Sequence, residues 1–178
     1  MERRDITTEM ERARTDFHQL LDGATSAELR AATHGTKWTN EQLLFHMPFG
    51  YLLVRNLLPL IKPLSRLPRG ASRGFAAALN AAKKPFHQVN FIGSLGGARV
   101  LGHDRMERLM DHVLASLQTV LIARQRGESL DRGLHFPVGW DPYFTDYMTV
   151  KGVYHYATQH YDHHRRQLTL ASTAAATT

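Results

Sequence analysis

Residues 146–170, DYMTVKGVYHYATQHYDHHRRQLTL, decide how this chain reads. Wound at 100° per residue with His160 at the centre of one face, His164 falls about 40° away. Val150, Val153, Ala157 and Leu168 all fall within about 80° of His160, while His155, Arg165 and Arg166 point the other way. The segment is therefore an amphipathic helix, expected from about Asp146 to Leu170, with two imidazoles one turn apart inside its apolar stripe.

Three further helices follow from the same periodicity. One runs from about Thr7 to Leu21, with Met10, Ala13, Phe17, Leu20 and Leu21 on its inner face. A second opens at Thr39, where Thr39 and Gln42 have the form of a capping box, and carries Leu43, His46, Phe49, Gly50, Leu53 and Leu57 on one face. Pro48 is expected to bend this helix, and Pro59 and Pro63 to end it. Another begins near Asp104 and closes at Gly127. The polar stretch from Asp22 to Lys37 reads as a loop. The stretch from Lys62 to His103 reads as an irregular connector, with one short helical piece from Gly74 to Lys84. No sustained alternation marks a strand. The expected fold is all-α, an up-down four-helix bundle. It forms a single domain over residues 1–170, with a disordered low-complexity tail at 171–178.

Composition excludes several classes of function. The chain of 178 residues has the apolar share of a globular domain and no cysteine, so disulfides, thiolate ligands and a cysteine nucleophile are absent. The first residues show no apolar signal segment, and no uncharged apolar run of about 20 residues is present. A cytoplasmic protein with no membrane span is the expectation. The net charge of +6 is concentrated in one stretch, because no acidic residue lies between Glu41 and Asp104. Such a patch attracts anions. It lacks the aromatic interleaving or reading helix of a nucleic-acid surface, so no nucleic-acid partner is expected.

Of eleven histidines, position singles out three. His46 sits on the apolar face of the second helix as His160 and His164 do on the last. A lone buried imidazole is ordinarily a hydrogen-bonded core residue. Three together cannot all be charged, and a divalent cation held by neutral imidazoles resolves the conflict. His163, about 60° from His160 on the other side, is the rival to His164. His18, His87, His103, His112, His135 and His155 lack a partner at ligand spacing and read as structural or surface residues.

The run Lys37-Trp38-Thr39-Asn40-Glu41-Gln42-Leu43-Leu44-Phe45-His46 resembles the tryptophan, capped helix start and inward histidine of the DinB-like superfamily. The run His160-Tyr161-Asp162-His163-His164-Arg165-Arg166-Gln167-Leu168 resembles its closing histidine pair and glutamine. The resemblance implies a bundle of four long helices, often dimeric, with a triad of His46, His160 and His164 binding zinc, nickel or a similar divalent metal. It also implies chemistry on a small-molecule substrate with an external low-molecular-weight thiol such as mycothiol or bacillithiol. Other members look like metal-dependent hydrolases.

A metal held by three neutral histidines keeps an open position, where it can activate water or a thiol. Hydrolysis calls for a carboxylate base nearby. Glu41 and Asp162 project away from the histidines, which leaves Asp141 and Asp146 as candidates. With no internal thiol, the expectation tips toward a transferase with an anionic thiol cosubstrate. Its carboxylates would meet a basic rim formed by the connector, with Arg69 and Arg73 as the binding residues. Trp140, Tyr143, Phe144 and Tyr147 form an aromatic cluster that caps the core or lines a pocket, which keeps a non-enzymatic ligand-binding bundle as the third reading.

Overall fold

The computed structural model describes residues 2–66, 68–84, 88, 102–123 and 130–171. Helix α1 (Glu2–Gly23) turns Met10, Ala13, Phe17, Leu20 and Leu21 inward, the spacing read from the sequence, and starts five residues earlier than expected, which adds Ile6 to that face. The expected polar loop after it contains a short helix, α2 (Ser26–Arg30). Thr25 and Glu28 cap it reciprocally: the Thr25 hydroxyl accepts from Glu28 N at 3.3 Å, and Glu28 Oε2 accepts from Thr25 N at 2.9 Å.

Helix α3 (Asn40–His46) starts at the expected box, with Thr39 and Gln42 satisfying each other's backbone N–H groups. Pro48 divides it from α4 (Phe49–Leu64), although Met47 and Pro48 both keep right-handed helical dihedrals, so the two pieces follow one path. The expectation that Pro59 ends the helix is wrong, since α4 runs through it, and the helix stops at Leu64, one residue past Pro63. Each proline removes one ladder donor, and the buried face of Val54, Leu58 and Ile61 holds the helix through Pro59.

The connector is also more ordered than its composition implied. Helix α5 (Arg69–Ala81) begins five residues before the expected short helix. Residues 67, 85–87 and 89–101 of the connector lie outside the described residues. Helix α6 (His103–Ala123) follows, burying Met106, Met110, Val113, Leu114, Leu117 and Leu121. Its expected stop at Gly127 also lies outside the described residues, as do residues 172–178 of the tail.

Two strands, β1 (Gly133–His135) and β2 (Tyr147–Thr149), form an antiparallel pair that the all-α expectation lacked. Gly133 is required there, because a Cβ would meet the Met148 carbonyl oxygen at 2.5 Å. The last helix, α7 (Val150–Arg165), accordingly starts four residues later than expected. Thr149 caps it by accepting from Gly152 N at 3.1 Å.

The fold is mostly helical. Helices α1 and α4 each pack against both α6 and α7, closing a ring of four long helices around the core. Between α1 and α7, Asp16 accepts from the buried Tyr161 hydroxyl at 2.8 Å and from Arg165 Nε at 2.9 Å. Arg12 donates to both oxygens of Asp162. Beyond α7 the chain is stitched to the α2–α3 region. The buried Asn40 amide donates to Thr169 Oγ1 and Glu28 O and accepts from Thr169 N at 3.0 Å. Residues Asn40–Ile61 include a window of mean hydropathy 1.3, long enough to cross a membrane, but that window is 56% buried here, as befits a wall of the core.

Candidate metal centre

The capped start of α3 puts His46 in that helix's last turn, facing His160 and His164 on α7. The ring centroids stand 5.2 Å (His46–His160), 4.8 Å (His46–His164) and 4.6 Å (His160–His164) apart. One ring nitrogen from each lies within 4.8 Å of the others. The three side chains that the sequence placed on apolar faces thus meet in one cluster. His46 and His160 are buried, and His164 is half-buried.

Protonation and tautomer follow from the surroundings. Burial first, then the neighbouring His160 and His164, push the His46 pKa well below its ordinary value. Burial, reinforced by His160, pushes His164 down to about 3. His164 Nδ1 lies 2.7 Å from Gln167 Oε1, and His160 Nδ1 lies 3.1 Å from Asp141 Oδ2. Both partners are acceptors, so each Nδ1 donates, and in the neutral ring that tautomer leaves the lone pair on Nε2. His160 Nε2 is fully buried and has no hydrogen-bond partner. An orphan of that kind costs about 1–3 kcal/mol. Three imidazoles whose ring nitrogens lie within 4.8 Å of one another, one with a buried and unpartnered Nε2, suit a divalent cation, so the donor set fits the group the sequence implied.

Close packing holds the cluster. His160 rests on the bare backbone of Gly50, where an added Cβ would meet His160 Cδ2 at 2.7 Å. The Trp38 ring lies 4.5 Å from the His46 ring, and Phe49 stacks on His46 at 5.6 Å. Asp141 is engaged on both oxygens. Oδ1 accepts from Tyr143 N at 2.9 Å, and Oδ2 accepts from Tyr156 OH and His160. Burial pushes its pKa up, but the hydrogen bonds outweigh burial and hold the carboxyl below its ordinary value. Asp146, the other candidate base, stands 3.2 Å from His135 instead.

His163, the rival ligand, turns away. Its Nδ1 lies 3.0 Å from the Tyr143 hydroxyl, and it is not one of the three clustered residues. Among the other histidines, His18, His135 and His155 each pair with a carboxylate.

A cavity of about 240 Å³ opens beside the cluster, and its lining includes His46, His160 and Asp141. Most of the remaining wall is apolar, from Phe49, Leu52, Leu53 and Trp140. Of the expected aromatic cluster, Trp140 alone lines this cavity. Phe144 is buried against Phe136 and Tyr156, and Tyr147 is exposed. No lysine or arginine is among the described residues of the lining. Arg73 is exposed on α5, and the side chain of Arg69 lies outside the described residues. Helix α5 reaches the site by its other end. Leu79 O accepts from Trp140 Nε1 at 2.8 Å, and Asn80 Oδ1 accepts from Gly139 N at 2.9 Å.

No curated protein and no solved structure matches the chain. A family model described as DinB superfamily matches residues 9–168, a stretch that contains all three clustered histidines and continues beyond the end of α7. With nine-tenths of its length inside that match, the chain belongs to the DinB superfamily.

Proposed function

We propose that His46, His160 and His164 hold a divalent metal ion, zinc or nickel by the resemblance, and that the protein is a metal-dependent transferase acting with an external low-molecular-weight thiol. In this reading the ring of α1, α6, α4 and α7 is the superfamily's four-helix bundle, and the protein is a homodimer.

The observation that carries the metal is the buried, unpartnered Nε2 of His160, within a triad in which the second nitrogens of His160 and His164 are held by Asp141 and Gln167. Those two acceptors fix the tautomer that leaves a lone pair for an ion. Burial keeps His46 and His164 neutral at physiological pH, so no proton competes for them. With three protein ligands, a bound ion supplies an open Lewis-acid position that makes a thiol or water nucleophilic at neutral pH.

Two features favour the thiol. The chain has no cysteine, so a sulfur nucleophile comes from outside. The nearest carboxylate, Asp141, is already engaged by three donors and orients His160 instead of serving as a free base. Arg69 and Arg73 remain the proposed anchor for the thiol's carboxylates.

Elemental analysis of protein purified without a histidine tag tests the metal. His46→Ala should lose metal and activity together, and His163→Ala should keep the metal. Consumption of an electrophile by the loaded protein, with and without candidate thiols, tests the reaction. Turnover in water alone, indifferent to thiol, would make it a hydrolase. A metal closed by four protein ligands, with no turnover, would make it structural.

A further inference from the structure

We infer that the cavity beside the histidine triad receives an uncharged, single-ring aromatic group, and that Trp140 is the residue that selects it. The inference rests on the reading of the triad as the functional site and names the class of electrophile that site would take.

Size comes first. An apolar cavity of roughly 150 Å³ accepts benzene. The present one measures about 240 Å³, room for one ring and its substituents. The lining gives the chemistry. Phe49, Trp140 and Tyr156 contribute aromatic surface, and Leu52 and Leu53 contribute aliphatic surface. A flat π-surface is what such walls pack against best. The one polar residue of the lining away from the histidine–aspartate end is Asn56, whose exposure puts it on the open side.

Charge excludes the alternatives. The described walls away from the triad hold no cation, and an anionic group moved from water against them without a counter-charge is strongly disfavoured. A cationic group fares no better. The only carboxylate, Asp141, has its oxygens taken by Tyr143 N, Tyr156 OH and His160 Nδ1. An uncharged group pays neither penalty.

Trp140 is the wall most firmly set in place. Its indole N–H is fixed to Leu79 O, its backbone N–H to Pro137 O, and its neighbour Gly139 to Asn80. The ring is therefore part of a surface prepared before any ligand arrives, which favours a flat partner over a flexible chain.

The test uses three isosteric single-ring probes of charge 0, −1 and +1: benzamide, benzoate and benzamidine. Their binding is measured by isothermal calorimetry to chelator-treated, metal-free protein and to zinc-loaded protein. In the metal-free protein, benzamide should bind at least tenfold more tightly than either ion. Trp140→Leu should weaken benzamide at least fivefold, with circular dichroism and melting temperature checking that the fold is kept. If Trp140→Leu fails to fold, Leu53→Glu, which adds a charge to the wall, should give the same loss. Benzoate binding as tightly as benzamide to the metal-free protein would overturn the inference, as would no detectable benzamide binding or indifference to both substitutions. Because this readout needs neither metal nor turnover, it separates the two readings. Benzamide binding with no metal uptake would keep the cavity and remove the metal. Metal uptake and thiol-dependent turnover without benzamide binding would do the reverse.

Discussion

Gly50→Ala is the sharpest probe of the histidine cluster, because its steric consequence is local. The new methyl group would sit 2.7 Å from His160 Cδ2 and 3.0 Å from Cγ, where ordinary contact begins at 3.4 Å. The imidazole must therefore withdraw by about 0.7 Å, the gap between those distances. Metal–ligand distances tolerate only about 0.2 Å. A displacement several times larger takes His160 out of coordination range or forces α4 and α7 apart. Zinc affinity should fall at least tenfold, about 1.4 kcal/mol. Stability of the metal-free fold should change far less, since alanine in a helix recovers up to about 1 kcal/mol relative to glycine. Competition with a chromophoric chelator reads the affinity, and thermal unfolding in chelator reads the apo fold. Wild-type zinc affinity in Gly50→Ala would refute the claim that His160 is held in place by that contact.

Asp141→Asn should lower metal affinity on the order of 10–100-fold, measured by the same competition, because the His160 tautomer is no longer fixed by an acceptor-only partner. Metal-free protein should lose stability as pH falls below about 6.5, the ordinary histidine value. The sign follows from His46 and His164 staying neutral in the fold, His164 down to about 3, while the unfolded chain takes up protons from about 6.5 downward. Each contributes a slope of about 1.4 kcal/mol per pH unit. Denaturant melts at pH 7 and pH 5.5 check this, and His164→Gln should flatten the dependence. Asp16→Ala should destabilise the fold by about 2 kcal/mol, since the buried Tyr161 hydroxyl and Arg165 both lose their acceptor. Urea unfolding measures that loss.

The triad was legible because helical arithmetic needs only spacing. His160 and His164 share a stripe with Val153 and Ala157, and the Thr39–Gln42 box fixes the phase of the helix that brings His46. Asp141 was read only as a candidate base. Its actual role depends on a loop folding back against α7, and no local pattern encodes a contact 19 residues away. Three-residue strands are too short for alternation to register, so β1 and β2 were missed. Helix α2 could have been found, since Thr25 and Glu28 have the capping-box spacing seen again at Thr39. The charge of the connector is a different matter. A count of basic residues says nothing about which face they occupy, and the contacts of α5 with the 139–140 turn, from Leu79 O and Asn80 Oδ1, could not be read from it.

The separation of the site's two halves along the chain has a consequence for unfolding. His46 and His160 stand 114 residues apart, so an ion shared between them closes a loop of that length. In polymer terms, a cross-link over roughly a hundred residues removes on the order of 4–5 kcal/mol of entropy from the unfolded chain. A protein without cysteine has no covalent means of doing this. The bound ion would be its clasp, making the early and late segments, already sewn together at Asn40 and Thr169, come apart in one event or not at all.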